Sequence, residues 1–379
     1  MKKNEQFMKN VSICLLFAAL LFTGCAPDKS ADESNNQEEW PAGQNVYTAG
    51  SENNAQGDAV ARLWKNGAVQ TITDSDGSVL RSSNTDGTLV FSKANSVFVA
   101  GNDVYVAGLE VYQKEGDDAN SSLETVARPR LWKNGIMQNL SYETSSGEAI
   151  SAFVSGSDVY VLGRESPLEN KYYMILKYWK NGEAVTFAKG NSTFWEAKSI
   201  FVSNGDVYIV GRGPNANGLQ AMLWKNGVEE DLNSGTANSC ANSVFVSGGD
   251  VYIAGYDGNN AVLWKNGAAE KLPYGTAAQS VYVSDNNVYV AGYDGIGEAR
   301  LWKNSIVQEL PDASDAELFQ SVFVSGDDVY LAGYVTVIEE TEIKGLSYGY
   351  FKATLWKNGK KLNLTAGKNN SWAVSVFVK

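Results

Sequence analysis

The chain has 379 residues, 44% hydrophobic and 20% charged, and contains no histidine. That excludes Ser-His-Asp and Cys-His nucleophiles, a His general base and His-ligated zinc, copper or iron. A net charge of −12 is the wrong sign for a nucleic-acid partner, and three cysteines (Cys14, Cys25, Cys240) without a CxxC pair are too few for a disulfide framework.

Taken from the N-terminus, Lys2, Lys3 and Lys9 precede an apolar run from Val11 to Phe22, and Thr23-Gly24-Cys25 follows. A basic segment and an apolar stretch of about twelve residues form a secretory signal that is too short to span a bilayer. The ending LFTGC resembles the lipobox of bacterial lipoproteins, which implies that residues 1–24 are removed and that Cys25 becomes the lipid-modified first residue. Phe22 stands where those signals more often carry Leu. Loss of the three Lys and one Glu of residues 1–24 takes the charge from −12 to −14. Residues 25–44 hold Asp28, Asp32, Glu33, Glu38 and Glu39 against Lys29, without apolar periodicity. They read as a disordered acidic tether, about 25 Å long as a coil, that keeps the following domain near a membrane.

Self-similarity governs residues 45–379. Strings like LWKNG begin at Leu63, Leu131, Tyr178, Leu223, Leu263, Leu301 and Leu355. SVFV-like strings begin at Ser96, Ser151, Ser199, Ser243, Ser280, Ser321 and Ser375, and VYVAG-like strings at Val46, Val104, Val159, Val207, Val251, Val288 and Val329. Each is short, rich in β-branched and aromatic residues and bounded by Gly, Asn or Asp, as strands are. SVFV is strand A, VYVAG strand B, LWK strand C, and the stretch after Asn-Gly strand D. The Asn-Gly pair is a two-residue hairpin turn, replaced once by Asn304-Ser305. A four-stranded antiparallel meander repeated every 48 or so residues predicts an all-β, seven-bladed β-propeller. The repeat enters at strand B and ends with a lone strand A. Pairing that last strand with the first blade closes the ring and removes an open edge.

The A–B and C–D turns are uniform and share one end of every blade. All length variation falls in the B–C and D–A loops at the other end, the loop face, where recognition is expected. On the short-turn face a Lys follows each Trp, and Asp103, Asp158, Asp206, Asp250 and Asp328 precede strands B. These should pair across the ladder, each pair contributing about 0.2–1 kcal/mol. Seven of the ten Trp are repeat positions and are assigned to the core between blades.

Residues that break the repeat on the D–A loops are the candidate site: Glu148, Trp195, Glu196, Lys198, Gln279, Phe319, Gln320 and Trp372. They are expected around the loop-face mouth of the central channel, as a cradle for a glycan, peptide or protein. Glu148 and Glu196 on neighbouring blades also fit the carboxylate separation of a glycosidase. No catalytic motif accompanies them, so an enzyme is not expected. Asp74 to Ser78 and Glu115 to Asn120 are Asp-rich and offer calcium ligands, without the later bidentate Glu of an EF-hand. No other metal and no cofactor is expected. Cys240, without a partner, is expected to be a small buried residue.

The combination of LWKNG with SVFVSGxDVYVAG resembles tandem WKNG repeats of bacterial lipoproteins and, more distantly, extracellular repeats of the HAF type. The resemblance covers residues 46–378 and implies a propeller. It carries no activity and no site residues. The expectation is a monomeric binding module, lipid-anchored in the bacterial cell envelope at the outer membrane or cell surface. The alternatives are a carbohydrate-active enzyme and a structural component of an envelope complex.

Overall fold

Both faces of each VYVAG-like strand are apolar, as in Val161-Leu162 and Ile253-Ala254, which are all at most 1% exposed. A strand buried on both faces belongs inside a stack of sheets. The computed structural model describes residue 40 and residues 43–73, 88–114, 124–141, 144–190, 194–215, 218–232, 238–313, 316–340 and 347–379. Its strands form seven four-stranded antiparallel sheets, the blades of a seven-bladed β-propeller. Blade four shows the plan, with strands A to D at Glu196–Ser203, Asp206–Asn215, Gly218–Lys225 and Val228–Asp231. Strand D is three or four residues long in six blades and eight in blade three, and carries exposed residues in every blade, as befits an outer edge. Among the described residues the one helical element is a 3-10 turn at Pro311–Ala313.

Ring closure follows the expected route. Blade one takes its strand A from the C-terminus: Ser371–Val378 pairs with Val46–Asn53, with Val46 opposite Val378 and Thr48 opposite Val376. Asn45 and Lys379 exchange backbone hydrogen bonds of 2.7 and 2.9 Å. Trp40, assigned from sequence to the tether, is seated on the propeller instead. Its indole lies over Gly67, where an added Cβ would meet it at 2.4 Å, and it packs against the core cluster around Trp64. Gln44 also leaves the tether, hydrogen-bonding Tyr330 and Ser325.

The core repeats with the blades. Trp64, Trp132, Trp179, Trp224, Trp264, Trp302 and Trp356 are each at most 1% exposed. Each Trp is wedged against the preceding blade: Trp132 meets Tyr47, Ala49 and Leu63, and Trp64 meets Tyr330, Ala332 and Leu355 of blade seven. The joint is therefore the same around the whole ring, including the closure.

On the short-turn face the Asn of each C–D turn has two roles. It adopts the left-handed conformation that a tight hairpin requires, with φ of 48 to 53° at all seven positions. Its Oδ1 also accepts a hydrogen bond of 2.8–2.9 Å from the first Val of strand B. The five expected Asp–Lys pairs form at 2.8–3.0 Å. In the same units the Asn amide donates to the Asp at 2.7–2.8 Å. The Lys ammonium lies 5.2–5.8 Å from the ring of the following Tyr, from Lys133 over Tyr105 to Lys357 over Tyr330. This ring locks turns and register.

Candidate functional site

A β-bulge in strand A sets the geometry of the loop face. In every blade the register shifts just before the conserved-pattern Ser, so one residue is extra: Asn95, Ile150, Lys198, Asn242, Gln279, Gln320 and Val374. A bulge leaves its residue outside the ladder and re-aims the side chains that flank it. Asn95 and Asn242 use this freedom to donate to Ala149 O at 2.9 Å and to Ala278 O at 2.8 Å, each on the next blade. The Ser beside the bulge does the complementary work. Its Oγ accepts from the strand A backbone of the next blade, as in Val97 to Ser375 at 3.1 Å and Val376 to Ser321 at 3.2 Å. The strand A carbonyl two residues before the bulge explains the Gly of VYVAG. At Gly211 an added Cβ would lie 1.9 Å from Glu196 O.

Below the Ser ring lies an aromatic collar. Phe98, Phe153, Phe201, Phe245, Tyr282, Phe323 and Phe377 contact one another around the full circle, with centroids 4.5–4.9 Å apart and interplanar angles of 43–57°. A regular heptagon with such sides has a radius of about 5.5 Å, and rings this close must present edges to the axis, leaving a bore of roughly 4 Å. Burial raises the phenol pKa of Tyr282, the one hydroxylated member.

The rim of the channel on the loop face is the strand A position three residues before the Ser, together with its strand B partner. The pairs are Trp372 with Ser51, Lys93 with Leu109, Glu148 with Arg164, Glu196 with Arg212, Cys240 with Tyr256, Ala277 with Tyr293 and Leu318 with Tyr334. Blades three and four thus carry a charged arc, and blades five to seven carry three tyrosines with small or aliphatic partners. In the charged arc Arg164 Nε donates to Glu148 at 2.7 Å. Glu196 accepts from Lys198 at 2.7 Å and from Arg212 at 2.5 Å, and Arg212 donates to the Tyr256 hydroxyl at 3.3 Å. Burial opposes ionisation of Glu196, but the Lys198 charge and the hydrogen bonds from Lys198 and Arg212 outweigh it, and the carboxyl pKa is held below its usual value.

The sequence-derived residues divide accordingly. Glu196 and Lys198 come together as an ion pair, Glu148 holds the equivalent position on blade three paired with Arg164, and Gln279 and Gln320 are partly exposed bulge residues. Trp372 holds a rim position, half-buried, with its ring 5.9 Å from Phe351. Phe319 is a correction. It is 0% exposed and packs edge-on against Trp356 at 5.1 Å, because it fills the core position occupied by Ala in the other six blades. Trp195 is a second correction, since its ring packs on Trp224 at 6.1 Å and covers Gly213 between blades. Cys240 is buried, as expected. Cys25 and the two Asp-rich stretches lie outside the described residues.

Two further features were not anticipated from sequence. Arg164, Arg212, Tyr256, Tyr293 and Tyr334 are each the residue after the Gly of VYVAG, a repeat position whose variation was the available signal. Blade two holds a buried polar cluster. Arg130 donates to Glu110 at 2.6 Å with side chains 3% and 0% exposed, Tyr112 donates to the same carboxylate at 2.6 Å, and Arg130 also reaches Asn139 at 2.6 Å.

Comparison with solved structures finds the computationally designed Ika8 protein (13% identity, covering 75% of this chain and 77% of that one, TM-score 0.39). It also finds the β-propeller domain of the trilobed protease from Pyrococcus furiosus (11%, 73% and 98%, TM-score 0.35) and Trypanosoma rangeli sialidase (9%, 70% and 52%, TM-score 0.39). No family model matches the chain, and no curated protein matches it. The strand pairings themselves define the fold, and no function is transferred at these levels of similarity.

Proposed function

We propose that the protein is a lipid-anchored extracytoplasmic binding module whose ligand, a glycan, peptide or protein, is held at the loop-face mouth of the channel. The observation that carries this reading is the rim itself. A charged arc on blades three and four meets a tyrosine arc on blades five to seven, directly above a collar too narrow for a ligand to pass. Polar groups converging over a closed, rigid floor suit recognition. Catalysis by Glu196 is disfavoured because a general acid needs a raised pKa, whereas the cations around this carboxylate lower it.

The test is affinity capture and titration with envelope glycans and peptides, using the full chain in detergent. Glu196→Gln and Trp372→Ala should each weaken binding about tenfold, equivalent to roughly 1.4 kcal/mol. The short-turn-face control Lys265→Ala should leave it unchanged. Equal affinities for all variants would overturn the reading. Labelling with a fatty acid, abolished by Cys25→Ser, tests the anchor separately.

A further inference from the structure

A second concavity lies away from the channel, where the D–A loop of blade five meets the B–C and D–A loops of blade six. It has a volume of about 870 Å³, within the range of small-ligand sites. Its walls are Tyr274, the 294–300 segment and the 307–310 segment, with Phe319 at its base.

Both walls are tied to core tryptophans. Trp302 Nε1 donates to Pro273 O at 2.9 Å, fixing the turn that carries Tyr274, and Trp356 Nε1 donates to Asp312 O at 3.3 Å on the opposite loop. Gly275 lets the first of these loops pack closely, since an added Cβ would lie 2.6 Å from both Ala261 and Trp302. Asp294 organises the third segment by accepting from the backbone of Ile296 and Glu298 at 3.0 and 2.9 Å. Such a cleft is preorganised, which limits the entropy lost on binding.

Its chemistry is unusual for a surface fully satisfied by its own contacts. Tyr274 and Ile296 are each 82% exposed at the rim. Arg300 is held through Nη2 by Asp294 at 2.5 Å and Glu298 at 2.8 Å, while its Nε and Nη1 make no hydrogen bond among the described residues. Gln308 spends its amide nitrogen on Ile306 O at 2.9 Å, leaving its oxygen as an acceptor. Asp294, Glu298 and Glu309 outnumber Arg300, which disfavours an anion, and Asp294 and Glu298 are already spent on Arg300, which leaves no converging pair of carboxylates for a cation. What remains is an uncharged ligand with hydroxyl edges for planar charged groups and an apolar face for an aromatic ring.

We propose that this cleft binds a neutral oligosaccharide, with a sugar ring stacked on Tyr274 and its hydroxyls bonded by Arg300, Glu298 and Gln308. The site is distinct from the channel mouth and stands or falls independently of it. The experiment is isothermal titration of the full chain in detergent with cello-, malto-, xylo-, manno-, laminari- and chitohexaose. Hexagalacturonate and a capped alanine tripeptide serve as charged and peptide probes. At least one neutral hexasaccharide should bind. Tyr274→Ala and Arg300→Met should each weaken that binding about tenfold, Tyr274→Phe should retain it, and Glu196→Gln should leave it unchanged. Circular dichroism of each variant checks the fold, and the retained binding of Tyr274→Phe reports stacking rather than stability. The proposal is overturned if no neutral hexasaccharide binds at about 10 mM, if only hexagalacturonate or the peptide binds, or if Tyr274→Ala binds normally. Binding lost on Glu196→Gln but untouched by Tyr274→Ala would place the ligand at the channel mouth, refuting this site while supporting the other.

Discussion

Removal of residues 374–379 tests the closure of the ring. The deletion takes away Val376 and Val378, 4% and 5% exposed, each contributing about 1.5–3 kcal/mol by burial. It takes away Phe377, whose ring contacts Phe98 at 4.9 Å and Phe323 at 4.8 Å. Losing a packed aromatic costs about 3 kcal/mol. The backbone exchange between Asn45 and Lys379 and the Val97 to Ser375 bond also go, each contributing about 1 kcal/mol net. The combined loss is about 9–12 kcal/mol, comparable with the whole stability of a typical domain. The truncated chain is therefore expected to be unfolded, or to melt far below the full chain, by calorimetry and near-ultraviolet circular dichroism. Adding a peptide of sequence 371–379 should restore a cooperative transition whose midpoint rises with peptide concentration, because only the folded ring binds it. A truncated chain with an unchanged midpoint would refute the reasoning, since the terminal strand would then contribute nothing to closure.

Two other outcomes are expected. Glu110→Gln should destabilise the chain by about 3–5 kcal/mol in denaturant titrations, because it removes the buried carboxylate charge that Arg130 and Tyr112 both donate to, and Glu110→Gln with Arg130→Met should recover much of the loss; a single-variant effect below about 1 kcal/mol would contradict this. On the short-turn face, hydrogen bonds from Lys133, Lys180, Lys265 and Lys357 hold Asp103, Asp158, Asp250 and Asp328 below their ordinary pKa of 3.8, and Asn226 and Lys225 do the same for Asp206. Since the folded values lie below the unfolded ones, the stabilisation is fully present above 3.8 and is lost as pH falls from there through the folded values. Replacing all five Asp by Asn should therefore flatten the acid limb of melting temperature against pH by lowering the neutral region, with little change at pH values below the folded pKa values; an unaltered acid limb would count against the ring.

Blade number, strand order and closure were legible because each strand string recurs seven times and the strings alternate in a fixed order. The Asp–Lys pairs were legible for the same reason, as both residues flank fixed turns. The site was only half legible. Glu148 and Glu196 reached the rim because their offset from the Ser places them there. Phe319 did not, although it sits in a slot that reads Ala94, Ala149, Ala197, Ala241, Ala278 and Ala373 elsewhere. Departure from the repeat marked it as unusual, but a bulge one residue later decides which way a side chain points, and no spacing rule reports a bulge. The tyrosine arc escaped because its residues directly follow a repeated string and were passed over with it. Trp40 was placed in the tether on the strength of its polar neighbours, which say nothing about where one indole docks.

The collar also bears on how the molecule counts. Each joint between blades is the same head-to-tail contact, and such contacts form rings of any size that their rotation closes. A ring of seven needs a turn of about 51° per unit, a ring of six about 60°, and one of eight about 45°. The aromatic planes tilt by 43–57° from one ring to the next around the circle, a range centred on the seven-fold step. A duplicated blade could not be absorbed as a local insertion, because every wedge around the axis would have to narrow together. The outer loops carry no such constraint, so their lengths can differ from blade to blade while the count stays at seven.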